Sequence, residues 1–133
     1  MADTRKINEH YAEIANELLQ NEEALEYIRN SSASIIYLSS EAERKSKSKI
    51  THAECEKVPM KYKWSVPADF TITVFEPNIQ EFSEDQIRIL LFHELLHVGI
   101  EKDGEDEKYF VKPHDLEDFK LIIDRFGTEW SWT

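Results

Sequence analysis

At 133 residues the chain has room for one domain and not for two of ordinary size. Its net charge of −11 works against nonspecific attraction to nucleic acid or an anionic membrane, and three glycines and four prolines leave little scope for a long low-complexity tract. A single cysteine, Cys55, excludes an internal disulfide and a cysteine zinc ribbon, and is expected to be a half-buried strand residue.

The N-terminal stretch MADTRKINEHYAEIANELL scatters charge among its apolar positions, so it does not read as a secretory signal. No apolar run approaches the roughly 20 residues of a membrane span, and a reducing cytoplasm is the expected location. Residues 1–30 are expected to be helical: Ile7, Tyr11, Ile14, Ala15 and Leu18 recur on one helix face, and Asn21 offers a cap for a continuation through Ala24, Leu25 and Ile28. One kinked helix or two short ones would satisfy that pattern. Residues 34–76 read as strands and loops. The run SIIYLSS (34–40) suits a strand, whereas EAERKSKSK (41–49) suits a solvated loop. Its basic residues Arg44, Lys45, Lys47 and Lys49, with Lys57 beyond them, could touch a phosphate or an acidic partner but fit a solvated face better. Residues 50–58 and 70–76 alternate as further strands, joined by a loop between Pro59 and Pro67 that contains Tyr62 and Trp64.

The spacing predicts the next helix over 83–103. Ser83 fits the N-cap and Gln86 completes a capping box, with Phe82 and Ile87 placed for a hydrophobic staple. Apolar side chains surround this segment: Ile87, Leu90, Leu91, Leu95 and Val98 on one side, and Ile89, Phe92, Leu96 and Ile100 on the other. A helix apolar all round is a buried one. Within it His93 and His97 fall one turn apart on the same side, with Glu94 about a quarter-turn away. Two imidazoles so spaced can both reach a tetrahedral zinc ion, and the intervening carboxylate can act as general base toward a water on that ion. The alternative is a pair of core histidines satisfied by backbone or carboxylate partners.

Such a site ordinarily takes a third protein ligand. His114, in KPHDLEDF, is the leading candidate: it points away from the apolar stripe Leu116, Phe119, Ile122, Ile123 and Phe126 of a helix expected over 113–127 and stopped by Gly127. Glu117 is an alternative ligand, and Glu117 or Asp118 could orient an imidazole, although both also suit a helix first turn without further role. Asp103 occupies the sixth position after His97, but Gly99 is displaced from where the extended motif requires it. Tyr109 and Tyr62 are possible donors to a developing oxyanion. His10 and His52 lack partners at ligand spacing and read as surface or strand residues, and the Trp130–Trp132 tail reads as cover for a hydrophobic edge.

From about Glu54 to Phe126 the chain resembles the phage metallopeptidase family, a relative of SprT-like zinc peptidases, in the segments KVPMKYKW, ADFTITVFEP, HELLHVG and KPHDLEDF. The resemblance implies one α+β domain with a minimal zincin-like core: a small mixed or antiparallel sheet of about three strands against a central HExxH helix, with N-terminal and C-terminal helices. It implies His93, His97 and His114 as ligands of one Zn2+, Glu94 as catalytic base, and an origin in phages, prophages or bacteria. The resulting reading is a zinc metallopeptidase acting on a peptide or protein, with no membrane partner and with nucleic acid disfavoured by charge and the missing zinc ribbon. Substrate would add as a strand to a sheet edge, either 51–57 or 70–76. Two other readings share the metal site: a hydrolase of non-protein amides, and a non-catalytic zinc protein that regulates or binds a partner.

Overall fold

The computed structural model describes residues 5–43, 45–46, 49–113, 119–127 and 130. The first described element is a short strand, β1 (Arg5–Ile7), because the Asn8 side chain accepts from the Tyr11 amide and caps a helix that begins only at Glu9. Ile7, expected on the helix face, is therefore an exposed strand residue. Helix α1 (Glu9–Asn21) buries Tyr11, Ile14, Ala15 and Leu18. The backbone becomes extended at Glu22 before a single 3-10 turn and the short helix α2 (Glu26–Arg29).

Four strands form the main sheet instead of about three. β2 (Ile35–Ser40) is followed by a small antiparallel ladder, β3 (Lys45–Ser46) with β4 (Lys49–Ile50), where a solvated loop was expected. Then come β5 (Ala53–Lys57) and β6 (Phe70–Phe75). The sheet order is β1-β2-β6-β5, with β2 and β6 parallel and the other neighbours antiparallel. Tyr37, Ile72 and Cys55 stand opposite one another across three strands, which assigns Tyr37, Phe70, Ile72, Val74, Ala53 and Cys55 to one face. Helices α1 and α3 (Glu84–Leu96) pack there, and the core joins Ile14, Leu18, Ile72, Val74, Leu91 and Leu95. On the opposite face Arg5 reaches Glu54 and Glu56, each at 3.2 Å, and the Thr73 hydroxyl at 3.0 Å.

β6 is interior, so β5 is the edge strand on its side of the sheet. The Phe75 amide donates to the His52 carbonyl and the Val58 amide to the Asp69 carbonyl, both at 2.9 Å. Hydrogen-bonded pairs alternate along an antiparallel ladder, so residues 52, 54, 56 and 58 direct their backbone groups at β6. Ala53, Cys55 and Lys57 direct theirs outward, where no strand of the described residues pairs with them.

The expected helix over 83–103 ends at Leu96. Residues Val98–Asp103 form strand β7, which pairs with β8 (Asp106–Val111) as a hairpin. Val98 and Ile100 continue the helix's apolar spacing, but they also alternate as a strand, and a paired strand satisfies their backbone groups. Gly104, with φ of 68°, begins the two-residue turn. Gly99 is needed for a different reason: a Cβ there would lie 2.4 Å from the Phe110 ring. The last helix, α4 (Lys120–Phe126), is shorter than the 113–127 expected; residues 114–118 lie outside those described, and Phe119 precedes the helix as a buried residue. No helix among the described residues is long and apolar enough to cross a membrane.

Candidate metal centre

The phase of α3 is set at its start. Ser83 Oγ accepts from the Gln86 amide at 3.2 Å, and Gln86 Oε1 accepts from the Ser83 amide at 2.9 Å, forming both halves of the capping box. At the other end, His93 and Glu94 lie in the closing turns and His97 is the C-cap, still helical at φ −74° and ψ −18°. One potential ligand atom from each of these residues lies within 4.8 Å of the others. Nε2 of His93 is 3.8 Å from Glu94 Oε2, and the two imidazole centroids are 5.1 Å apart. Glu94 is 4% exposed, so its carboxylate is held in a site where a cation would stabilise it strongly.

His97 owes its orientation to the hairpin. The ladder continues one pair past Val98 and Val111, and the Lys112 amide donates to the His97 carbonyl at 2.6 Å. His97 Nδ1 is also 2.6 Å from the Lys112 carbonyl. A carbonyl can only accept, so Nδ1 carries the proton and the Nε2 lone pair is left for a metal. The Tyr27 hydroxyl donates to the Val98 carbonyl at 2.6 Å, pinning the first residue of the hairpin to α2.

Aromatic side chains wall the histidines. Phe119 packs edge-on against both rings, at 5.4 Å from His93 and 4.8 Å from His97. Trp130 lies 6.3 Å from His93 and 6.5 Å from Phe82, with its carbonyl accepting from Gln86 Nε2 at 3.1 Å. His52, expected to be a surface or strand residue, packs at a tilt against Phe82 at 4.9 Å; burial lowers its proton affinity, and the proximity of His93 lowers it further. Cys55 is half-buried in β5, as its sequence context suggested, and faces α3. Burial pushes its thiol pKa well up, with the Glu94 and Glu56 carboxylates adding to the shift. The edge strand thus passes over the helix beside Glu94.

The other sequence candidates go elsewhere. Asp103 is at the far end of the hairpin, ion-paired to Lys108 at 3.5 Å. Tyr109 turns its hydroxyl to Glu107 at 2.8 Å and its ring to Phe70. Burial and that hydrogen bond raise its pKa to about 12. Tyr62 is in the exposed loop after β5, and His10 meets Glu84 on the surface at 2.9 Å. His114, Glu117 and Asp118 lie outside the described residues. Sequence reasoning missed Phe119, Trp130, His52, Tyr27 and Lys112 as neighbours or supports of the site. Only the hairpin had a usable signal, Asp103-Gly104 between alternating runs.

Two imidazoles, one with its outer nitrogen oriented by a backbone carbonyl, and a buried carboxylate form a donor set suited to a borderline divalent cation. A family model described as "Putative phage metallopeptidase" matches residues 5–133. No curated protein and no solved structure matches the chain.

Proposed function

Because the chain belongs to the phage metallopeptidase family, we propose that it is a zinc-dependent peptidase that hydrolyses an extended polypeptide laid along the free edge of β5. The observation that carries this reading is the clustering of His93, Glu94 and His97 on a helix packed against β5, with His97 Nε2 left available because Nδ1 donates to the Lys112 carbonyl. His93 and His97 would hold the ion through Nε2. His114 would be the third ligand: it follows Lys112 by two residues, which span at most about 7 Å of chain. When bound, zinc would supply Lewis acidity toward the attacking water and the scissile carbonyl. Glu94 accepts the proton of the attacking water and later delivers it to the leaving amine. Outward backbone groups of Ala53, Cys55 and Lys57 hydrogen-bond the substrate as an added strand and hold it in register over Glu94.

The test uses full-length protein purified without added metal, with zinc measured by elemental mass spectrometry and cleavage measured on an unstructured protein. The wild type is expected to bind near-stoichiometric zinc and to cleave. Glu94→Gln should retain the metal but cleave at least about a hundredfold more slowly, and His114→Ala should bind zinc clearly more weakly. Undiminished cleavage by Glu94→Gln would overturn the mechanism. Zinc-loaded wild type that cleaves neither protein nor small amides would favour a binding role.

A further inference from the structure

The loop between β5 and β6 presents large apolar side chains to solvent from a hydrogen-bonded frame. Its ends are buried, with Val58 and Ala68 only 5% and 4% exposed, and the Val58 amide bonds the Asp69 carbonyl. Asp69 accepts from Lys63 Nζ at 2.7 Å and from the Ser34 amide at 3.0 Å. Successive turns close inside the loop: the Tyr62 amide donates to Pro59, Lys63 to Met60, and both Ser65 and Val66 to Tyr62. On this frame Met60 is 79% exposed and Trp64 is 87% exposed. Met60 opens the 3-10 turn Met60–Tyr62, and Trp64 lies in the turn that directly follows it. Two large apolar side chains held in solvent by one short loop suit a recognition surface.

Two observations identify the occupant. The loop begins directly after Lys57, the last β5 residue whose backbone groups face the unpaired edge, and so continues the chain from the end of that edge. In addition, residues 57–66 contain no acidic residue in a chain of net charge −11, and while Lys63 is taken by Asp69, Lys57 and Lys61 remain on the same stretch. We propose that the 59–66 loop is a distal recognition platform for the substrate polypeptide. It takes a bulky aromatic or aliphatic side chain on Met60 and Trp64 and an acidic neighbour on Lys57 and Lys61. The identity of the strand as substrate rests on the peptidase reading; the binding of an apolar, acidic segment does not.

The experiment measures fluorescence anisotropy on full-length, zinc-loaded Glu94→Gln protein. The probe is a fluorescein-labelled unstructured peptide with one tryptophan flanked by glutamates, compared with the same peptide carrying serine for tryptophan. The tryptophan peptide should bind about tenfold more tightly, and Met60→Ser with Trp64→Ser should erase that advantage. Both substitutions are on the surface, so the thermal melt should be unchanged. Equal affinity for the two peptides, or an advantage that survives the substitutions, would overturn the proposal. So would loop-dependent self-association in sedimentation, or loop-dependent binding to anionic vesicles or single-stranded DNA that exceeds binding of the peptide. Cleavage with glutamate restored at position 94 separates the two claims. A retained binding advantage without cleavage sinks the peptidase reading alone, whereas cleavage with equal kcat/KM on both peptides sinks the platform alone.

Discussion

His93 sits in the closing turns of α3, its side chain 12% exposed and walled by Phe119 and Trp130. His97 stands where the helix ends, and its ring is turned by the Lys112 carbonyl just beyond β8. One histidine is positioned by a helix whose phase is set locally, and the other by a backbone pairing fifteen residues away in the chain. The motif looks like a single helical unit, yet its two imidazoles depend on different parts of the fold. Damage to the hairpin should therefore reach the metal through His97 while leaving His93 in place.

The broadest break in that comparison is loss of either ring. His93→Ala and His97→Ala should each weaken zinc binding by more than about a hundredfold, beyond the effect typical of losing an orienting partner. Competition against a chromogenic chelator would measure this, and stoichiometric tight binding by either variant would refute the shared site. Phe119 touches both rings, so Phe119→Ala should affect both together. Truncating this buried side chain is expected to cost about 3–5 kcal/mol in urea unfolding and to loosen zinc binding as well. Gly99→Ala distinguishes the two histidines: its new Cβ meets the Phe110 ring. Because Phe110 is exposed and its ring can swing away, the cost should be about 1–2 kcal/mol. The His97 ring resonances should move further in the NMR spectrum than those of His93, and adding Phe110→Ser should restore them. The smallest effect is expected for Ser83→Ala, which removes the cap and costs about 1 kcal/mol in thermal unfolding without altering zinc affinity.

Much of this was legible because the signals are local. Ser83 and Gln86 are three residues apart and form both bonds of the predicted box. The β-branched run at 34–40 and the alternation at 50–58 and 70–76 mark strands that form near those bounds, at 35–40, 53–57 and 70–75. Errors arose where two periods fit the same residues. Val98, Gly99 and Ile100 extend a buried helix as well as they begin a strand, and only pairing with Phe110, Val111 and Lys112 decides between them. The three residues of β1 are too few to show a period, and their partner Leu38–Ser40 is more than thirty positions away.

The sequence by itself determined the chemistry available here: two imidazoles and a carboxylate one turn apart on a capped, apolar helix, since helix phase and capping act over a few residues. Tertiary structure decided how that chemistry is presented. It ended the helix at His97, brought the Lys112 carbonyl to one imidazole and Phe119 to both, and left β5, not β6, at the sheet edge. Those outcomes depend on which distant backbone groups pair and which side chains fill the space between elements. Burial and hydrogen-bond satisfaction select them over the whole chain, and no short stretch of residues encodes them.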